Sequence, residues 1–156
     1  MHLQLGFLAF LFASNLFAWS TETSDDIWRS GWGQGVSEAE VTRGSGNKIY
    51  VACLSGREWP LDMGSSISFM LAGDGPKPNS ELLIIFDKKH PESFSVDKHG
   101  KITSDCRACA ANFDYLIEQL KKHSSIYVRF SDGRESTFTL KGSAKAIGEC
   151  PSAWSQ

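Results

Sequence analysis

The sequence predicts a mainly β domain, α+β in class: an antiparallel β-sandwich or half-barrel of about seven strands with one amphipathic helix. Three observations predict it. Short runs rich in β-branched and aromatic residues alternate with polar ones at a period of two. Turn-forming residues separate these runs. A single long stretch carries the helical period instead.

The first element is not a strand. Leu3 to Phe17 is almost wholly apolar, and no side chain carries a full charge before Glu22. The run is short for a membrane-spanning helix, which needs about 20 apolar residues. It matches the apolar region of a secretory signal, with Ala13, Ser14 and Ala18 as small residues near its end. Cleavage is expected after Ala18, so residues 1–18 form the signal peptide. A buried N-terminal strand or helix is the alternative, and a run with no polar face suits it poorly. Residues 19–35 form a polar, glycine-bearing lead-in expected to dock by its indoles, Trp19, Trp28 and Trp32. Residues 36–156 form a single β-rich domain, a length that can bury a real core.

Within that domain, Val36 to Thr42 alternates weakly. Ile49, Val51 and Cys53 share one face of the next run, and Ile67, Phe69 and Leu71 that of the third. Leu82 to Phe86 is continuously apolar, as in a strand buried on both faces. Phe94 with Val96, then Ile126, Val128 and Phe130, then Phe138 with Leu140 complete the set. Gly44-Ser45-Gly46-Asn47, His99-Gly100 and Asp132-Gly133 supply tight reversals. Gly73 to Ser80, with Pro76 and Pro78, reads as a loop that joins no central strand. The helix is Ala110 to Lys122: Phe113, Leu116, Ile117 and Leu120 fall at helical spacing. Asp105 is placed to cap it, and Glu118 can pair with Lys122 one turn on. A short helical turn is expected over Ser143 to Gly148.

Composition narrows the function classes. The formal net charge is -2, which argues against nucleic acid, where a basic face supplies most of the affinity. No second long apolar run exists, so no stable membrane span is expected after processing. The four cysteines, Cys53, Cys106, Cys109 and Cys150, read as disulfides in an exported chain. Three connectivities are possible. Cys106 and Cys109 are close enough to pair locally, which would leave Cys53 to tie the early part of the domain to Cys150 near its end.

Cys106-Arg107-Ala108-Cys109 is the sharpest local feature, because a thiol at a helix N-terminus has a lowered pKa and suits thiol–disulfide exchange. A structural bridge pinning the start of the helix is the preferred reading, since the chain offers hairpins rather than βαβ crossovers. Zinc would need Cys53 and Cys150 or a histidine to join the pair, and His90, His99 and His123 are scattered. No metal and no cofactor are expected. No Gly-x-Ser-x-Gly elbow is present. The histidines read as solvated turn or helix-end residues, and Asp25 with Asp26 and Glu38 with Glu40 as exposed surface. Trp28, Trp32, Trp59 and Trp154 could be contact anchors, although core burial is the preferred reading for each taken singly. Trp59, in the loop Ser55 to Gly64, is the one most readily left exposed; Trp59, Pro76 and Pro78 are the binding candidates.

One pattern runs through most of the domain. It comprises a cysteine-bearing early strand (Ile49 to Cys53), a cysteine-bearing segment ahead of one helix (Cys106 to Leu120), Tyr127-Val128-Arg129-Phe130, and Phe138-Thr139-Leu140-Lys141-Gly142-Ser143-Ala144. From Asn47 to Cys150 the chain thereby resembles small periplasmic β-sandwich proteins of the invasion-associated protein B type and related type VI secretion-associated families. The resemblance implies a non-enzymatic envelope or secreted domain and supplies no site residues. The expected function is an exported, non-catalytic protein-binding module of the bacterial envelope or secreted fraction, its partner another envelope or secreted protein. The alternatives are a thiol–disulfide oxidoreductase using Cys106 and Cys109, and a periplasmic inhibitor or immunity protein presenting the Gly73–Ser80 or Ser55–Gly64 loop.

Overall fold

A computed structural model describes residues 24–33, 35–54, 64–152 and 154. The expected signal peptide, Trp19, Trp59 and residues 55–63 of the loop that carries it lie outside the described residues. Among those described, nine strands build two antiparallel sheets. The five-stranded sheet runs in the order β1 (Arg29–Gly33), β2 (Val36–Arg43), β3 (Asn47–Leu54), β4 (Ser66–Met70) and β7 (Lys101–Thr103). The four-stranded sheet runs β6 (Pro91–Ser95), β5 (Glu81–Phe86), β8 (Ser125–Phe130) and β9 (Glu135–Thr139). Helix α1 (Arg107–Lys122) links β7 to β8, and the short α2 (Ser143–Ile147) follows β9. The expected class therefore holds: mainly β, with one long helix.

The two-residue period sets the registers. Val41 lies opposite Ile49, Ile49 opposite Phe69, and Val51 opposite Ile67. In the other sheet Leu82 faces Phe130, Ile84 faces Val128, and Phe86 faces Ile126. A one-residue slip would turn either set out to water, so burial itself fixes the pairing. Both inner faces join Phe113, Leu116, Ile117 and Leu120 of α1 in one core. The helix lies against β7 and α2, and α2 lies against β2.

Several expectations need correction. The run Leu82 to Phe86 is buried on one face only; Leu83 and Ile85 are half-buried on the outer side, where Ile85 faces Tyr127. Two strands, β1 and β7, were not expected. The sequence of β1 is Arg-Ser-Gly-Trp-Gly, which has no apolar alternation, and its pairing with β2 makes it a strand. In β7 only Ile102 is buried. The lead-in docks by one indole of the two described: Trp28 is buried and donates from Nε1 to the Thr139 carbonyl at 2.8 Å, while Trp32 stays out.

Helix α1 begins at Arg107, three residues before the expected start, and its cap is Cys106 rather than Asp105. Cys106 is extended, and its Sγ accepts the Cys109 amide at 3.1 Å. The Asp105 carboxylate instead accepts the Thr103 hydroxyl at 2.7 Å. Glu118 and Lys122 form no ion pair with each other.

Two tethers hold the crossover between the sheets. Gly46, at φ +77°, accepts a backbone bond from Gly73 at 2.9 Å, and a Cβ there would meet the Gly73 nitrogen at 2.4 Å. Arg134, from the β8–β9 turn, donates to the carbonyls of Leu71, Asp74 and Gly75, and its guanidinium lies over the Phe130 ring.

Candidate functional site

The cysteines are all paired. Cys53 bonds Cys150 with Cα atoms 5.2 Å apart, and Cys106 bonds Cys109 at 5.0 Å. The first bridge is buried, at 3% and 5% exposure, whereas Cys106 is open to solvent. Asp105, Cys106 and Cys109 bring three metal-type ligand atoms within 4.8 Å of one another. With the two sulfurs bonded to each other, neither is a thiolate ligand, and metal binding there would first require reduction. A reduced Cys106 would face the Cys109 amide at the start of a 16-residue helix, where the helix dipole favours a thiolate.

His123 is not a solvated helix-end residue, contrary to expectation. It is half-buried, with Nδ1 2.8 Å from an Asp87 oxygen and Nε2 2.9 Å from the Gln119 side-chain oxygen. Its ring stacks on Phe86 at 5.1 Å between centroids. The second Asp87 oxygen accepts the amides of Ser124 and Ser125 at 3.0 and 2.9 Å. The His123 bond, aided by the two amides, draws the Asp87 carboxyl down to about 2. Nδ1 thus joins the end of α1 to the β5–β6 turn, while Nε2 is held by Gln119 of the helix itself. The pair resembles a catalytic dyad in composition, but both ring nitrogens are taken by side-chain oxygens of the protein.

Glu38 and Glu40 are not loose surface carboxylates either. They lie on the outer face of the five-stranded sheet, where Glu40 is buried beneath Arg29 and Lys48, and Glu38 accepts the Tyr50 hydroxyl. Burial, and then the Glu38 carboxylate, push the Tyr50 hydroxyl above its usual range. Each acid is engaged by its own partner, so the two do not form the open pair that glycoside hydrolysis uses. Asp25 and Asp26 are exposed as expected and hold the β2–β3 turn through the Gly44 amide and Arg43.

Of the contact candidates, Trp59 lies outside the described residues. Pro76 is buried beside Gly100, and Pro78 is exposed. Of the described tryptophans Trp28 is buried, Trp154 is exposed at 42%, and Trp32 is the most exposed, at 65%. It sits on β1, the edge strand, opposite Ser37. Beside it a shallow groove of about 570 Å³ runs between the β1–β2 hairpin and the end of α2, lined by Ser30, Gly31, Ser37, Ala146, Ile147 and Gly148. Sequence reasoning named Trp32 as one anchor among several. Nothing in the sequence singles it out, because its exposure follows from the position of β1 at the edge of the sheet.

A family model described as YfjT matches residues 26–147. No curated protein and no solved structure matches the chain. The YfjT match carries no link to the invasion-associated protein B or type VI secretion-associated families.

Proposed function

This chain belongs to the YfjT family, and we propose that it is an exported, non-catalytic protein-binding domain that docks another envelope or secreted protein through Trp32 and the β1 edge. The carrying observation is the indole itself: a large apolar ring, 65% exposed, on an edge strand and beside a groove. Tryptophan is enriched at interface hot spots, and an edge strand is a natural platform for an added strand. Export is supported by the use of all four cysteines in disulfides, which persist in oxidising compartments, and by the apolar run at Leu3 to Phe17.

The test is capture of a partner from envelope and culture-fluid extracts by the disulfide-intact protein. Replacing Trp32 by Ala should weaken capture by about thirtyfold or more, the usual cost of a hot-spot residue at ~2 kcal/mol or more. Capture that is the same for Trp32→Ala and the parent would sink this reading.

One observation favours a second reading, thiol–disulfide exchange: Cys106 is solvent-open and its sulfur caps α1. Turnover in an insulin-reduction assay that is lost in Cys106→Ser would establish it. On the binding reading there is no such turnover, and Cys106→Ser/Cys109→Ser captures the partner as the parent does.

A further inference from the structure

The lysines of this domain are unevenly placed. Of its ten, five converge on one end. Lys88 and Lys89 lie in the β5–β6 turn, Lys121 and Lys122 in the last turn of α1, and Lys141 between β9 and α2. Main-chain and side-chain bonds hold these segments together: the Asp87 carboxylate takes the Ser124 and Ser125 amides, the Leu140 amide donates to the Ser124 carbonyl, and the Ser143 hydroxyl donates to the carbonyls of Leu120 and Leu140. All but Lys121 are exposed, and Lys121 is half-buried. Among the described residues none of the five forms an ion pair. Of the carboxylates near these segments, Asp87 is bonded by His123, while Asp114, Glu118 and Glu149 share a groove with Lys121 and offset that lysine, leaving Lys88, Lys89, Lys122 and Lys141 to carry the basic surface.

We infer that this basic end is a docking surface for the phosphate headgroups of an anionic lipid bilayer. The type of cation selects the partner. No arginine lies on these segments, and Arg29, Arg43, Arg129 and Arg134 pair with carboxylates elsewhere. Arginine is the residue for two-pronged recognition of a fixed carboxylate, whereas lysine is a mobile point charge suited to a laterally fluid sheet of phosphates. None of the exposed large apolar side chains belongs to these segments, so the contact is electrostatic adsorption without insertion. A net charge of -2 conceals this end, because charge segregated in space acts over a Debye length and not over the whole molecule. The inference does not depend on the Trp32 reading.

The test is sedimentation of the protein, as recovered from cells with both disulfides intact, with two kinds of vesicle. One is pure phosphatidylcholine; the other contains about one third phosphatidylglycerol. The difference between the two is read, because an apolar N-terminal segment would enter both alike. At about 0.1 M salt the anionic vesicles should bind more protein, and the excess should vanish near ~0.5 M as screening shortens. Each exposed lysine near the surface contributes roughly fivefold, so Lys88→Gln/Lys89→Gln should cut the excess about 25-fold, and Lys122→Gln/Lys141→Gln similarly. Lys98→Gln/Lys101→Gln, with the same charge change at the opposite end of β6, should leave it intact. Equal binding to both vesicles overturns the inference, as does an equal loss in all three variants. Retention of a duplex oligonucleotide or a polyglutamate peptide with no excess on anionic vesicles also overturns it.

Discussion

Asp87 carries more of the fold than a turn residue ordinarily does. It adopts a positive φ of 48°, which aspartate tolerates better than most residues, and this points its carboxylate at His123, Ser124 and Ser125 together. Replacement by Asn keeps the backbone conformation and removes the charge and one strong acceptor. Asp87→Asn should lower stability at neutral pH by about 1–2 kcal/mol, the low end for bonds to a charged acceptor because the group is partly open to water. The sign of the pH dependence follows from the depressed folded-state value. Stability from Asp87 is fully present above the ordinary carboxyl value of 3.8 and is lost as pH falls towards about 2. Urea midpoints measured from pH 5 down to pH 2 should therefore fall less steeply in Asp87→Asn than in the parent. Some slope should remain, because Arg134 holds the Asp132 carboxyl below its usual range as well. None of this was legible in the sequence. The partners lie 36 to 38 residues apart, and a histidine after a helix reads as solvated unless the turn that meets it is known.

At the level of elements, the legible parts are those whose own side chains choose the conformation. Strands β3, β4, β8 and β9 and helix α1 each bury a face written in their own period. The illegible strands are those whose partners choose it: β1 has two glycines in five residues, and β7 is three residues long. The start of α1 belongs to the second group. Asp105 has the better intrinsic capping side chain, but the link to Cys109 places Cys106 where its sulfur meets the third amide of the helix. This position also sets the chemistry of the element. Cys106 is exposed and Cys109 half-buried, whereas Cys53 and Cys150 are both buried, so a reductant reaches only one bridge of the folded protein. Brief treatment of the native protein with a limited amount of dithiothreitol, followed by alkylation and peptide mass spectrometry, should label Cys106 and Cys109 first. Labelling of Cys53 and Cys150 should appear only under conditions that unfold the chain. Simultaneous labelling of all four would mean that the long bridge opens in the native state.

Over the whole molecule, one closure matters more than any single contact. Cys53 lies at the end of β3, the middle strand of the five-stranded sheet, and Cys150 lies beyond α2, at a separation of 97 residues. Strands β4 to β9 and both helices all fall within that loop. Both sheets contribute to one core, so the two ends would meet without the bridge, and its main effect falls on the unfolded chain. In the chain-entropy model a closure of this length is worth about 4.7 kcal/mol, while the Cys106–Cys109 closure comes to about 2 kcal/mol. Cys53→Ala/Cys150→Ala should therefore destabilise by roughly 2–5 kcal/mol, clearly more than Cys106→Ala/Cys109→Ala. The denaturant slope discriminates further. Opening the long loop lets the unfolded chain expand and expose more surface, so the urea m-value should rise in the first variant. The second variant should keep the parent slope, since so short a loop barely compacts the unfolded chain. A lowered midpoint with an unchanged slope in Cys53→Ala/Cys150→Ala would assign the loss to the native core around two buried sulfurs. An unchanged midpoint would show that β3 and the tail are held by packing alone.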